Sequence, residues 1–139
     1  QAFKSDPSLV WQFYEYRRQL IAKAKPNICH QWCAKLEKIK NNAGMDFTLI
    51  TQNVDRLHQL AGSNSVIELH GSLWLIKELD TIGFMQDDIH IWEDRNVPIV
   101  STLSDVDPNK ALVSIPLNKL PQRNGKLLRP AVVWFGEAL

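Results

Sequence analysis

The chain reads as an α/β protein: part of a doubly wound parallel sheet carrying an irregular insertion. Three observations point there. Two segments with helical apolar spacing open the chain, a short run of β-formers follows them directly, and polar residues gather just after that run and after a second one. Helix, tight turn, strand and polar loop is the order of a doubly wound unit. The first helix is predicted over 8–24. Ser8, after Pro7, is the expected cap, and Leu9, Val10, Phe13, Tyr16, Leu20 and Ile21 recur at helical spacing. Arg17, Arg18, Lys23 and Lys25 gather near its end, where the helix dipole favours cations. A second helix starts at Pro26-Asn27 with Ile28, Trp32, Leu36 and Ile39 as its stripe, and Asn41, Asn42 and Gly44 stop it.

Met45 to Thr51 is the first predicted strand, short and bounded by polar punctuation. Gln52 to Gly62 leaves its carboxyl end, the place where open α/β sheets bind ligands. A second short strand is expected at Val66–Leu69, with His70-Gly71 just after it, so two strands deliver polar groups to one edge. From Ser72 to about Leu120, Asp, Asn and Pro accumulate and the apolar spacing loses its period, which reads as an insertion. Ala131 to Phe135 is the third buried strand, closed by Gly136-Glu137.

Composition narrows the function classes. The chain has 139 residues, 16 Lys+Arg against 15 Asp+Glu, and 45% hydrophobic residues. That apolar content is too high for a disordered tail, and a net charge of +1 supplies no basic excess for nucleic acid. Apolar runs of a few residues fall short of a membrane span, and no secretory signal opens the chain. With no initiator Met and an end just past an apolar run, it reads as cut at both termini. Two cysteines cannot fill a four-thiolate zinc site, and Cys29 and Cys33, four apart on one helix, read as a buried, reduced pair. His30 reads as packing or surface, His58 as a structural loop–helix residue, and His90 has no partner at metal-ligand spacing.

The densest polar cluster is Gln52, Asn53, Asp55 and His70. A neutral imidazole can take a proton from a hydroxyl near pH 7. Carboxamides can orient a sugar hydroxyl or another amide through paired donors and acceptors, and Asp can accept from either. From residue types alone, His70 is open between catalysis and a satisfied structural role. Tyr14 and Arg17, three apart on one helix side, could clasp a carboxylate between a phenol and a guanidinium fork; the alternative is Arg17 paired with Glu15 on a solvated face.

Thr51-Gln52-Asn53-Val54-Asp55-Arg56-Leu57-His58, Ala61-Gly62 and Glu68-Leu69-His70-Gly71 resemble the signature of the sirtuin (Sir2) family. Arg129-Pro130-Ala131-Val132-Val133-Trp134-Phe135-Gly136-Glu137 is similar to a second family segment, and Tyr14-Glu15-Tyr16-Arg17-Arg18 resembles the class III, sirtuin-5-like branch. The resemblance implies a Rossmann-like fold and an NAD-dependent protein-lysine deacylase, in which the acyl oxygen attacks the nicotinamide ribose and displaces nicotinamide. It makes His70 the general base on a ribose hydroxyl, sets Asn53 and Asp55 at the nicotinamide, and puts Gln52 on ribose. It lines the acyl-lysine channel with Val133, Trp134, Phe135 and Gly136, and assigns acidic acyl groups to Tyr14 and Arg17. Acylated lysine peptides are the implied partners, with a mitochondrial, cytoplasmic or nuclear setting. The division expected is 1–72 for the Rossmann-like part, 73–126 for a degenerate small module, and 127–139 for the return to the sheet.

Three family features are missing from this sequence. The glycine-rich stretch that cradles the NAD phosphates is absent, and the later adenosine-binding segment would lie beyond Leu139. Where the family carries two cysteine pairs, this chain has Glu78 and Thr81, then Arg123 and Asn124, so no zinc is expected and residues 75–120 are expected to be loosely ordered. These departures support an alternative function: a catalytically inactive remnant that binds acyl-peptide or protein. A third reading is a fragment without activity, whose open strand edges predict aggregation.

Overall fold

The computed structural model describes residues 2–79, 90–99 and 115–137. A single turn, α1 (Ala2–Ser5), delivers Phe3 into the core and leads to Asp6, which caps α2 (Pro7–Lys23). The Asp6 carboxylate accepts from the Leu9 N–H at 2.9 Å, and Pro7 occupies the first helical position, where no N–H is needed. The cap is therefore Asp6 and not Ser8, whose hydroxyl instead donates to the Ile115 carbonyl at 2.5 Å.

The buried face of α2 is rotated from the predicted one, although Val10 and Ile21 of the predicted stripe still pack, half-buried, against the core. Trp11, Tyr14, Glu15 and Arg18 are inside, while Leu9, Phe13 and Leu20 are exposed. The reason lies in what the helix meets. It packs on β3 (Gly71–Glu78) and β6 (Lys126–Val132), and its side chains satisfy polar groups there. Trp11 Nε1 donates to the Leu128 carbonyl at 3.0 Å and Arg18 Nε to that of Leu73 at 2.7 Å. Arg18 is fully buried, ion-paired to Asp94 at 3.2 Å, with the Trp11 and Trp74 rings 6.0 and 5.8 Å away. Glu15 accepts from Gln19 Nε2 and from the Ile99 N–H.

Helix α3 (Ile28–Asn42) is inverted outright. Its predicted stripe of Ile28, Trp32, Leu36 and Ile39 is exposed, while Glu37 is buried and accepts from the N–H groups of Asn64 and Ser65. Cys29 is exposed too, and Cys33 half-buried, so the expected buried thiol pair is not formed. The next elements are β1 (Leu49–Thr51), starting at Leu49 instead of Met45, then α4 (Leu57–Leu60) and β2 (Val66–Glu68). Strands β1 and β2 form a parallel pair with Leu49, Ile50 and Thr51 opposite Val66, Ile67 and Glu68.

A second, antiparallel sheet takes the order β4-β3-β6-β5, with β4 at Ile91–Glu93 and β5 at Gln122–Arg123. Regular structure thus continues through Glu78, where irregular chain was expected from Ser72. The strand predicted at Ala131–Phe135 is β6; it stops at Val132 and joins β3 in the antiparallel sheet, apart from the parallel pair. Gly71, at φ +71°, supplies the left-handed residue where the chain passes from the β2 side into β3. Asn124 and Gly125, at φ 50° and 75°, form the tight turn that folds β5 onto β6. Ile76, Ile99, Ile115 and Leu120 join Phe3, Trp11, Leu73 and Leu128 in the core. These parts of 75–120 are ordered; 80–89 and 100–114 lie outside the described residues. No described helix is long and apolar enough to cross a membrane.

α3 meets α4 through two imidazoles. Asn27 and His30 form a capping box: the Asn27 side chain accepts from the His30 N–H, and His30 Nδ1 accepts from the Asn27 N–H. The His30 and His58 rings are 4.5 Å apart, and His58 Nδ1 is buried with no described partner. Burial, with His30 beside it, lowers the His58 pKa against the opposing pull of Asp55.

Two tests follow from this packing. Asp94→Ala leaves the Arg18 charge buried without its carboxylate, and urea unfolding is expected to show a loss of about 3–5 kcal/mol. Arg18→Met, which removes the charge as well, should cost less. For His58, the unfolded chain takes up a proton first as pH falls below about 6.5, so the folded state loses stability from there down through its lowered pKa and is unaffected above. Melting temperatures at pH 7.5 and 5.5 should therefore differ less in His58→Gln than in the unsubstituted protein.

Candidate active site

Parallel pairing sets Thr51 opposite Glu68, so the segments leaving β1 and β2 emerge side by side. His70 Nδ1 lies 3.2 Å from the Gln52 carbonyl oxygen. A carbonyl can only accept, so this bond places the proton on Nδ1 and leaves Nε2 with a lone pair. The Asn53 N–H donates to Thr51 Oγ1 at 3.0 Å, which bends the loop and leaves the Gln52 and Asn53 amides exposed, with no side-chain partner among the described residues. Those amides could hold a sugar hydroxyl or a carboxamide.

The loop is stitched to β3. The Val54 carbonyl accepts from the Leu73 N–H at 2.9 Å and the Asp55 carbonyl from Trp74 Nε1 at 2.9 Å. Asp55 also uses a side-chain oxygen to accept from the Leu57 N–H at 2.9 Å, starting α4. Between them Arg56 takes a left-handed backbone (φ 62°) that a non-glycine residue adopts at a cost of about 1–2 kcal/mol. Three contacts with the Glu68 carboxylate, at 3.1–3.2 Å, hold it, and Glu93 adds a fourth at 3.4 Å. Sequence reasoning gave Arg56 and Glu68 no role; the available signal was opposite charge inside two motifs that meet at one edge.

On the other flank, the Val133 N–H donates to the His70 carbonyl at 3.0 Å and Gly71 stands opposite Val132, so the 133–137 segment lies against the histidine's backbone. Trp134 is held on several sides. Its ring has the Arg129 guanidinium 3.3 Å from its centre and the Phe3 ring at 5.5 Å. Its N–H donates to Glu137 Oε2 at 2.9 Å, and Glu137 is itself doubly bonded to Arg129. Burial pushes the Glu137 carboxyl up, but these bonds and the charges of Arg129 and Lys77 hold it below the usual range. With the Val133 and Trp134 donors committed, Phe135 is fully exposed at the tip of a turn that Gly136 closes at φ +86°.

Trp134 Nε1 donates to the Tyr14 hydroxyl at 2.7 Å. Burial raises the Tyr14 pKa, opposed by that bond and by Arg17 and Arg129. Arg17 is half-buried over the Phe13 ring at 5.6 Å and has no ion pair among the described residues; its suggested surface partner Glu15 is buried and bonded elsewhere. Tyr14 thus joins the site through Trp134, with Arg17 beside it on α2, and neither has a described contact with His70.

The described positions aligned with the family's cysteine pairs have other partners. Glu78 pairs with Lys126 at 3.5 Å, the Arg123 guanidinium sits 4.2 Å from the Trp92 ring centre, and Asn124 is a turn residue. Thr81 lies outside the described residues. Among those described, no three His, Cys, Asp or Glu side chains are grouped to hold an ion. His90 lies edge-on to Trp92.

Comparison with known proteins identifies the family. The Sir2 family model matches residues 1–139. The chain is 39% identical over 143 residues to an NAD-dependent protein deacylase 1 from Caldanaerobacter subterraneus, covering 99% of this chain and 46% of that protein. It is 38% identical to the dog mitochondrial NAD-dependent protein deacylase sirtuin-5, covering 100% and 45%. A crystal structure of a Sir2 homologue–NAD complex superposes with a TM-score of 0.70 at 37% identity, covering 99% of this chain and 44% of that one. A Sir2 structure bound to a propionylated peptide gives 0.64 at 32%, covering 97% and 47%. The chain spans under half the length of these relatives, and it belongs to the Sir2 family.

Proposed function

We propose that this chain carries the nicotinamide-side and acyl-lysine parts of an NAD-dependent protein-lysine deacylase. The observation that carries the reading is the placement of His70. Its ring is oriented by the Gln52 carbonyl from the β1 loop, and its backbone is tied to Val133 beside Trp134. One residue therefore borders both a carboxamide-rich turn and a hydrophobic flank. In this proposal residues 1–72 supply the Rossmann-like part, 73–126 the small module, and 127–139 the channel wall. A mitochondrial setting, which the sirtuin-5 relative's name carries, belongs to the same proposal.

When bound, NAD supplies a ribosyl carbon that an acyl oxygen can attack, with nicotinamide as the leaving group. The residues do the rest. His70 Nε2 accepts a proton from a ribose hydroxyl, and Gln52 orients that sugar. Asn53 and Asp55 hold the carboxamide end, with Asp55 keeping one carboxylate oxygen uncommitted. Val133, Trp134, Phe135 and Gly136 flank the acyl-lysine, with Phe135 exposed at the tip of their turn. Tyr14 and Arg17 provide two donors one helical turn apart for an acyl chain that ends in a carboxylate, such as succinyl or malonyl.

Two measurements test this. Mixing the protein with NAD and acyl-lysine peptide should release nicotinamide, and His70→Ala should slow release about 10²–10⁴-fold; release unchanged by that substitution removes His70 as the base. Arg17→Met should depress turnover of succinyl-lysine far more than of acetyl-lysine, and equal losses would sink the carboxylate clamp. Peptide binding without nicotinamide release is the result expected of an inactive binding module.

A further inference from the structure

Resting on the acidic-acyl reading above, we propose that Trp134 is a positioning residue for acyl recognition: its indole N–H occupies the acceptor side of the Tyr14 hydroxyl and so dedicates the phenolic proton to a carboxylate-terminated acyl group. A phenol has one donor and an oxygen that accepts, and it can rotate its proton toward any acceptor nearby. An indole nitrogen only donates. The 2.7 Å contact between Trp134 Nε1 and the Tyr14 oxygen therefore has one possible direction, and the Tyr14 proton must point elsewhere. No described residue receives it. Arg17, one turn along α2, likewise has no described carboxylate, and its charge acts on the phenol. Two uncommitted donors one turn apart are the complement of a carboxylate with two oxygens.

The rest of the cluster keeps the indole in place. Arg129 lies against the ring, Phe3 packs near it, and Glu137 ties the Trp134 backbone to the same guanidinium. Glu137, Arg129 and Trp134 form a chain of contacts that ends on the Tyr14 oxygen. A phenylalanine at 134 would keep the ring and the stacking but lose the donor. The Tyr14 hydroxyl could then turn its lone pairs toward the acyl group, and the preference for a terminal carboxylate would fall.

The chain has two tyrosines, so Tyr16→Phe leaves Tyr14 as the only phenol and allows ultraviolet titration of that group alone. In this background Trp134→Phe should raise the Tyr14 pKa, because the bond that favours the phenolate is gone, and an unchanged titration overturns the coupling. Calorimetry of the full-length protein with succinyl-lysine and acetyl-lysine peptides supplies the second readout. Trp134→Phe should weaken succinyl binding roughly tenfold more than acetyl binding, as loss of a bond serving a charged group does. Equal weakening of both peptides assigns Trp134 to the channel wall alone and overturns the inference. Tyr14→Phe and Arg17→Met act as controls: if they reduce succinyl preference and Trp134→Phe does not, only the inference fails. If neither control alters the preference, or neither peptide binds, the acidic-acyl reading fails and the inference with it.

Discussion

Three residues of parallel pairing between β1 and β2 decide where the chemistry can be. A ladder this short is weak by itself, and the neighbouring contacts show how it is reinforced. The buried Glu37 carboxylate gathers the N–H groups of Asn64 and Ser65 at the entry to β2. At the exit, the Arg56–Glu68 pair clamps the loop leaving β1 to the last residue of β2. Charge-assisted bonds from side chains do here what additional rungs do in a longer strand. Without that clamp the left-handed Arg56 would have no reason to persist, and the Gln52 carbonyl would not stand where His70 Nδ1 meets it.

The core follows a related logic. One part of it is organised around the buried Arg18, which is held by a strand carbonyl, a carboxylate and two indole rings. A cation in such a place is tolerated because its donors are largely matched. The arrangement binds α2 to β3 and to the Asp94–Ile99 segment, and so fixes the helix that carries Tyr14 and Arg17. Tyr14 and Arg18, four apart on α2, share its buried face, so this ionic packing also seats Tyr14.

Much of this was legible in the sequence, and the failures share a cause. The existence of α2 and α3, the parallel strands and the polar edge after them followed from spacing and punctuation. The buried faces of both helices did not, because periodicity arguments assume that apolar residues go inside. Here Glu15, Arg18 and Glu37 point inward to satisfy backbone groups, while Leu9, Phe13, Trp32 and Ile39 point outward. The strand Gly71–Glu78 was hidden by the Asp- and Asn-rich chain that follows it. Gln52 and His70 could be associated through their motifs. The contact between Trp134 and Tyr14 could not: it spans 120 positions and exists only once β6 and α2 are assembled.

The bond from the Val133 N–H to the His70 carbonyl has an implication for how the two halves of the site communicate. A guest that spreads or tightens the 133–137 turn pulls on the same peptide unit that carries the imidazole. That link is one backbone hydrogen bond of 3.0 Å between the turn and residue 70.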